Sequence, residues 1–364
     1  MTASLRDTSQ LIAGVVPGQG EQHVDRVPRR GTPYRIRQTD VPHAVGAVHV
    51  LRSRALADVA RRAGASTAVV SYVMNNGPRP VAAATRERVL AAAAELNYRP
   101  NRVARALRSR TTGVVGLVLA DAANPYFGAL ARHVEQALEE RDKLTLTGNA
   151  GYSADRQRHL VERFLAAQVD GLMIVSADGG ADVAAEAETA GVPAVYVHHR
   201  PEPGRAPFVG ADDDAAVRAA VAHLRIHGHR HVALLTGPDD AGPVGRRHAA
   251  WQATAGAAAG PLLRCAYSRA AADELTRDLV ARGAMPPALV TATDEQAVGV
   301  LAGACATGHP VPGRLAVISL DGTPDSAHTA PALTVTEQPL RAMARQAVDL
   351  LLDGGAPGPC PRPR

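Results

Sequence analysis

The spacing of apolar residues changes near residue 113 and predicts two kinds of structure in this chain. Before that point, apolar positions recur with the period of short amphipathic helices. After it, short continuous apolar runs alternate with helical segments, which is typical of strands buried in parallel sheets. The pattern therefore predicts a small all-α module followed by a larger α/β body.

The helical module contains two short helices joined by a tight turn over residues 56–75. Gly64 follows the last apolar position of the first helix, where a sharp turn favours a residue free to adopt positive φ. Ser66 has the position of an N-cap for the second helix. These features predict a helix-turn-helix, although an ordinary αα-hairpin has the same pattern. The second helix is expected to turn Val70, Val73 and Met74 inward and to present Thr67, Ala68, Ser71 and Tyr72 on its opposite face.

A third helix, Thr85–Leu96, has one apolar face that can close a three-helix core. Residues 54–110 carry eleven Arg against three acidic residues, whereas the whole chain has a net charge of +5. A basic module joined to an acidic body indicates a nucleic-acid partner, because neutralising phosphates supplies much of the affinity. A solvated basic surface is the alternative interpretation.

The body is predicted to form two parallel sheets of βαβ units, because it contains too many short strands for one. Ligands in such folds bind beyond the carboxyl ends of the strands. The predicted strands are 114–119, 144–147, 171–175, 194–197, 231–236, 262–266, 288–292, 315–320 and 333–336. The predicted helices are 126–141, 155–168, 181–190, 213–227, 246–259, 270–282, 294–307 and 339–352.

Several classes of protein are not favoured by the residue pattern. The three Cys residues are too scattered for a disulfide framework or a zinc site, so we expect a cytoplasmic protein. No apolar run approaches the roughly 20 residues of a membrane span, and no secretory signal is apparent. His223 and His227 have helical i, i+4 spacing, but nothing nearby completes a metal site. Phosphate-loop, nucleophile-elbow and dinucleotide motifs are absent, so we expect no enzyme, no catalytic residue and no cofactor.

Ordered motifs resemble the lactose/galactose repressor family of bacterial transcription factors. The helix-turn-helix signature stands here as Asp58-Val-Ala-Arg-Arg-Ala-Gly-Ala-Ser-Thr-Ala-Val-Val-Ser-Tyr-Val-Met-Asn75. The segment Glu95-Leu-Asn-Tyr-Arg-Pro-Asn-Arg-Val-Ala-Arg-Ala-Leu107 is similar to the family's third helix and hinge helix. Thr112-Gly-Val, Asn124-Pro-Tyr-Phe, Val169-Asp-Gly-Leu and Glu337-Gln-Pro follow in family order. The resemblance covers residues 56–353.

This resemblance implies a homodimeric regulator, most simply a repressor, that binds a palindromic double-stranded DNA operator. It also implies a two-lobed, periplasmic-binding-protein-like body with a small, sugar-like effector in the cleft. A solute-binding protein without DNA function is the alternative, against which the helix-turn-helix argues. The implied boundaries are 54–99 for the DNA-binding domain, 100–111 for the hinge helix and 112–354 for the body. Within the body, the first lobe takes 112–209 and 338–354, and the second lobe takes 210–337.

The resemblance assigns DNA contacts to the second helix and to the hinge. Ser66, Thr67, Ala68 and Ser71 stand at its reading positions, and Tyr72 replaces the usual Arg. Because Arg makes bidentate contacts to guanine and Tyr cannot, the operator is expected to depart from the family consensus. The hinge positions are Asn101, Arg102, Ala104 and Leu107. Leu107 matches a minor-groove wedge, with linker packing as the alternative.

The resemblance also places effector contacts in the body. Arg247 and Asp321 match a pocket Arg and Asp that bracket a polar ligand, although an Asp after a strand is also a common turn former. Thr293 is either a contact or an N-cap with Gln296 closing a capping box. His198 replaces a ligand-binding Asp, which indicates a different hydroxyl pattern or an anionic group in the ligand. Tyr126 and Phe127 are either contacts or lobe core. Asp212, Asp213 and Asp214 are interpreted as helix caps, and Trp251 as a reporter of effector binding.

The two ends of the chain look unlike the rest. Residues 1–53 are rich in Arg, Pro, Gly, Thr and Gln without a sustained period, and residues 355–364 are a Gly, Pro and Arg tail. Both are predicted to be disordered. Because Val48 and Val50 lie just before the helix-turn-helix, one hypothesis is that translation starts there and that the preceding segment is misannotated. A basic arm that adds nonspecific DNA affinity is the alternative, and intact-mass measurement separates the two.

Overall fold

A computed structural model describes residues 56–75, 79–99, 106, 111–175, 183–201, 204–240 and 242–354. The predicted N-terminal extension, the hinge contacts Asn101, Arg102, Ala104 and Leu107, and the C-terminal tail lie outside the described residues. None of the helices within these ranges combines the length and apolar character that a membrane crossing needs.

Three helices form the N-terminal module: α1 (Leu56–Ala63), α2 (Thr67–Met74) and α3 (Ala83–Glu95). Gly64 adopts φ +61° in the turn after α1, as the sequence predicts. The Ser66 side chain accepts a hydrogen bond from the amide of Val69 at 3.3 Å, so the predicted N-cap of α2 is confirmed.

A small apolar core holds the three helices together. Val59, Val70 and Val89 are fully buried, and Val73 is nearly so. At the surface, Arg62 of α1 pairs with Glu95 of α3 at 2.7 Å. The predicted inward face of α2 is confirmed for Val70 and Val73, because the alternation of buried and exposed residues follows the helical period.

The first sheet of the body is parallel and has five strands: β1 (Val114–Leu119), β2 (Leu144–Asn149), β3 (Gly171–Ile174), β4 (Ala194–Val197) and β5 (Phe208–Val209). Their order across the sheet is β2-β1-β3-β4-β5. Its helices are α4 (Pro125–Glu139), α5 (Ala154–Ala166) and α6 (Ala184–Thr189).

The second sheet is also parallel and five-stranded, with β6 (Val232–Thr236), β7 (Ala259–Arg264), β8 (Ala288–Thr291), β9 (Ala316–Ser319) and β10 (Thr334–Val335). Their order is β10-β9-β8-β6-β7. Its helices are α7 (Asp213–Ile226), α8 (Pro243–Ala255), α9 (Arg269–Ala281) and α10 (Asp294–Ala306). The final helix, α11 (Leu340–Asp353), returns to the first sheet.

Helices cover both faces of each sheet, which explains why the strands are apolar on both sides. On the first sheet, α4 and α11 pack on one face while α5 and α6 pack on the other. On the second sheet, α7 and α8 lie opposite α9 and α10. The predicted pair of parallel sheets is confirmed, and the chain passes between the lobes through residues 210–212 and 336–339.

Some predicted boundaries were wrong. The helix predicted over 246–259 starts earlier, because Pro243 suits the first helical turn. It ends earlier because Gly256 adopts φ +53°, and a short 3₁₀ turn then leads into β7. Strand β5 was missed because two residues carry too little periodic signal to be recognised.

One carboxylate explains two of the ordered motifs. Asp170 accepts hydrogen bonds from the Thr112 amide at 2.6 Å, the Thr112 hydroxyl at 2.9 Å and the Gly113 amide at 2.9 Å. Lys143, the only Lys in the chain, pairs with it at 3.0 Å. Asp170 therefore fixes the start of the body, where the chain enters β1.

Candidate functional site

The outward face of α2 is the candidate DNA-reading surface. Ser66, Thr67 and Ala68 are exposed at its N-terminal end, and Ser71 and Tyr72 are half-buried one turn later. Because the neighbouring valines fill the module's core, these side chains face away from it. The structure therefore brings all five predicted α2 residues to one surface.

Aromatic residues and a histidine form the first-lobe wall of the cleft. Tyr126 and Phe127 begin α4, whose N-cap Asn124 accepts from the Tyr126 amide at 3.0 Å. Their rings meet edge to face with centroids 5.2 Å apart. His198 follows β4 with φ +71°, and its Nδ1 lies 2.9 Å from the Tyr126 hydroxyl. Tyr126 and Phe127 also belong to the core of the first lobe, so the two predicted roles, effector contact and core packing, are compatible.

A buried ionic cluster forms the second-lobe wall. Arg247 on α8 is only 3% exposed, and its Nε donates to Asp213 at 2.8 Å. One of its terminal nitrogens donates to the Ala292 carbonyl and lies 3.7 Å from the Asp321 carboxylate. The half-exposed side chain of Arg246 pairs with the second oxygen of Asp213 at 3.0 Å. The cation therefore sits between two carboxylates.

Backbone geometry holds Asp321 in place. Its carboxylate accepts from the Asp294 amide at 3.1 Å, and Asp294 in turn accepts from the Thr323 amide and hydroxyl, both at 2.6 Å. Gly322 adopts φ +72°, and a Cβ there would lie 2.5 Å from the Glu337 Cα. Glycine is thus required where the end of β9 meets the segment that returns to the first lobe.

Burial shifts the titration of these groups. It raises the pKa of Asp321 to about 7, an effect that Asp294 reinforces and Arg247 opposes. Burial together with Arg247 and Arg246 holds the pKa of His198 well below its usual value, so the imidazole is neutral. Burial by itself lowers the pKa of Arg247, but Asp213 and Asp321 reverse that effect and the net shift is upward. Burial and Asp321 raise the pKa of Tyr126.

A cavity of about 50 Å³ lies between the two walls. Tyr152 and Tyr267 stack across the lobes with centroids 6.2 Å apart. All six predicted effector residues line this space, together with Ala120, Asn124, Tyr152, Pro243, Val244 and Tyr267. Sequence reasoning missed the two tyrosines, although both follow strand ends, β2 and β7, where ligands of parallel sheets bind.

Comparisons with known proteins identify the family. The sequence model for bacterial regulatory proteins of the lacI family matches residues 55–101, and that for a periplasmic binding protein-like domain matches residues 221–361. The chain is 35% identical over 321 residues to the HTH-type transcriptional regulator MalR of Streptomyces coelicolor, covering 84% of this chain and 91% of that protein. The chain belongs to the LacI family of bacterial regulatory proteins.

Other members of the LacI family agree with this assignment. Catabolite control protein A of Priestia megaterium is 31% identical over 301 residues, covering 81% of this chain and 90% of the relative. The Lac repressor dimer bound to operator and the anti-inducer ONPF superposes with a TM-score of 0.74 at 27% identity, covering 83% and 92% of the two chains. This chain is therefore a LacI-family transcriptional regulator, and a solute-binding protein without DNA function is not favoured.

Two predictions for the LacI-family cleft need revision. Asp212 caps α7 by accepting from the Ala215 amide at 2.9 Å, but Asp213 and Asp214 are not caps. Asp213 is the buried partner of Arg247, and the exposed Asp214 pairs with Arg218. The sequence could not distinguish these roles, because only the fold brings residue 247 to α7.

Thr293 combines the two roles that the sequence left open. It lines the cleft and caps α10 by accepting from the Gln296 amide at 3.2 Å. The Gln296 side chain does not close the predicted capping box. Its amide nitrogen donates instead to the carbonyl of Thr236, the last residue of β6, at 3.0 Å.

Trp251 lies in the second-lobe core and not along the cleft. Its indole donates to the Val232 carbonyl at 3.0 Å, and its ring is 3% exposed. Any response of its emission to an effector would therefore be transmitted through α8 from Arg247, one turn earlier. The hypothesis that its emission reports effector binding stays a prediction.

Proposed function

We propose that this LacI-family regulator is a cytoplasmic homodimeric repressor that binds a palindromic operator through α2. Its effector is a neutral, sugar-like molecule whose binding either lowers or raises the affinity for the operator. The observation that carries the DNA part is the exposed, uncharged face of α2 on a module with a strong excess of Arg. Helix-turn-helix proteins insert this second helix in the major groove and use basic residues on the phosphates.

The chemistry of the cleft supports a polyhydroxylated effector. A hydroxyl group can accept from the Arg247 guanidinium and donate to the Asp321 carboxylate at the same time. The aromatic rings of Phe127, Tyr152 and Tyr267 offer apolar faces beside these polar groups. A small number of polar groups within a mainly apolar pocket is the usual composition of such a site.

The position of the cleft supports a link between effector and operator. Its walls come from both lobes, so a ligand that contacts both favours one relative arrangement of the lobes. Such a ligand changes DNA affinity only if it binds the DNA-competent and incompetent forms unequally. A related regulator, CelR, has been solved in complex with the disaccharide cellobiose; it is 26% identical to this chain and superposes with a TM-score of 0.60.

An exposed edge of the first sheet supports dimerisation. Strand β2 is the edge strand, and Leu144 and Leu146 on it are 51% and 39% exposed. An uncovered edge with exposed leucines invites pairing with another chain. A second copy of this chain covering that edge would bury both leucines and bring two α2 helices to two half-sites.

The test is selection of bound sequences from a random duplex pool with the full-length protein at about 0.15 M salt, near the physiological value. We expect a palindrome whose half-sites lie about one helical turn, or a multiple of it, apart. Tyr72→Ala is the matched variant, and it should relax the motif at the base that residue 72 contacts while keeping the fold. Salt-sensitive binding without any motif from the wild type, both alone and with a pool of neutral saccharides, would overturn the proposal of a sequence-specific repressor.

A further inference from the structure

A backbone carbonyl fixes the orientation of a buried amide, that of Gln338, beside the cleft. The Nε2 of Gln338 lies 3.1 Å from the Leu320 carbonyl oxygen and 3.2 Å from Oδ1 of Asp321. A backbone carbonyl can only accept a hydrogen bond, so the NH₂ end of Gln338 must face it. The opposite end of the amide, Oε1, is therefore an acceptor that points to the first lobe.

This orientation determines the direction of the next two hydrogen bonds. The Tyr126 hydroxyl lies 2.7 Å from Oε1 of Gln338, and because Oε1 can only accept, the hydroxyl proton is donated to it. The hydroxyl has no second proton to offer to Nδ1 of His198, which is 2.9 Å away. Nδ1 must then carry the proton and donate it to the Tyr126 oxygen.

We propose that Gln338 is a positioning residue that fixes the tautomer of His198 through Tyr126, so that His198 offers the cleft a hydrogen-bond acceptor at Nε2. For the ligand this inference rests on the proposed function: the effector must place a hydroxyl or N–H donor, and not an anionic group, against His198. The anionic alternative that the sequence left open is thereby not favoured.

Electrostatics agree with a neutral acceptor on this wall. Two guanidinium groups, Arg246 and Arg247, act on the buried His198 ring, and with burial they hold its pKa well below the usual value. A protonated ring that could bind an anion is therefore disfavoured. The cation that can bind an acceptor atom of the ligand is on the opposite wall, at Arg247.

The relay also joins the two lobes. His198 and Tyr126 belong to the first lobe, whereas Leu320 and Asp321 follow β9 of the second. Gln338 lies on the returning segment between them, and its backbone amide donates to the Asp321 carbonyl at 3.2 Å. An effector that binds His198 is thus coupled, through hydrogen bonds of fixed direction, to the carboxylate on the other wall.

The test is long-range ¹H–¹⁵N correlation NMR of the full-length, effector-free protein labelled with ¹⁵N-histidine. The His198 signals are assigned from their loss in His198→Gln. We expect Nδ1 to have the shift of a protonated nitrogen and Nε2 that of an unprotonated one. An unprotonated Nδ1 in the wild type would overturn the proposal. This readout needs neither operator nor effector, so it can fail without affecting the proposed repressor function, and the reverse also holds.

Two variants of Gln338 give opposite expectations and separate positioning from packing. In Gln338→Ala the Tyr126 hydroxyl loses its acceptor and becomes free to donate to His198, so the Nδ1–H tautomer should lose its dominance. In Gln338→Glu one oxygen still accepts from Tyr126, and the other, protonated where it faces the Leu320 carbonyl and the Asp321 carboxylate, replaces the amide donor, so the wild-type tautomer should persist. Gln136→Ala, an exposed change on α4, is the control and should leave the signals unmoved. An unchanged tautomer in a folded Gln338→Ala protein would refute the relay, and a changed tautomer in a folded Gln338→Glu protein would refute it as well.

Discussion

The DNA-reading face and the effector cleft are built in opposite ways. The five reading residues fall within one helix and its cap, and they lie at the surface beside a core that is made of other side chains. The polar residues of the cleft come from separate segments spread between residues 124 and 321, and Arg247 and Asp321 are each 3% exposed. Except at the cap Ser66, function and stability are therefore separable on α2, whereas in the cleft the same groups carry both.

Removing the buried cation should have the largest effect. Arg247→Met leaves the carboxylates of Asp213 and Asp321 without their shared buried partner, which is expected to lower the free energy of unfolding by about 3–5 kcal/mol. The adjacent Arg246→Met removes a side chain that is 44% exposed, and the expected loss is at most about 1 kcal/mol. Urea unfolding followed by circular dichroism compares the two. Equal losses would contradict the account of the cleft.

Adjacent residues on α2 should separate DNA affinity from stability. Tyr72→Ala removes a side chain from the reading face. The loss of a base contact is expected to weaken the free energy of operator binding by about 1–3 kcal/mol, which raises the Kd roughly 5- to 150-fold. Val73→Ala instead leaves a cavity in the module's core and should cost about 1–3 kcal/mol of stability. Fluorescence anisotropy with the selected operator gives the affinity, and hydrogen exchange of α2 amides gives the stability. The account would be wrong if Tyr72→Ala bound the operator as tightly as wild type.

The stability of the body should depend on pH through Asp321. Its pKa in the folded protein, about 7, lies above that of an unfolded Asp, so the fold favours the protonated form. The contribution of Asp321 to stability is fully present below the pKa that it has in the unfolded chain. It is lost as pH rises through the pKa that it has in the folded protein. Between about pH 4 and 7 the wild type should therefore lose stability relative to Asp321→Asn, with a slope of at most about 1.4 kcal/mol per pH unit for one proton. Parallel pH curves for the two proteins would show that Asp321 does not titrate in this range.

The smallest expected effect is at the cap of α2. Ser66→Ala removes the acceptor for the Val69 amide and should lower the stability of the helix by about 1 kcal/mol. Ser66→Thr retains the acceptor and is the matched control. Faster hydrogen exchange of α2 amides in the alanine variant alone is the predicted result, and identical exchange in all three proteins would exclude a capping role.

The same comparison explains how far the sequence could be interpreted. The helix-turn-helix was predicted down to its cap, because Gly64, Ser66 and the apolar faces are local signals. Apolar runs predicted nearly every strand for the same reason, while β5 was too short to recognise. In the cleft, Arg247 and Asp321 came from the family resemblance, but Asp213 and Gln338 did not. Their roles depend on which distant segments the fold brings together, and no local spacing records that.

We infer that a molecule bound in the cleft controls the affinity of the α2 surface for the operator. The most direct measurement is the operator Kd of the full-length protein with and without each member of a panel of neutral mono- and disaccharides, with thermal shift reporting which of them bind. Arg247→Gln, confirmed as folded by circular dichroism, is the control for an impaired cleft. We predict that a saccharide that raises the melting temperature of the wild type also changes its operator Kd several-fold, and that both effects are lost in the variant. A saccharide that stabilises the wild type through Arg247 but leaves the operator Kd unchanged would contradict the account.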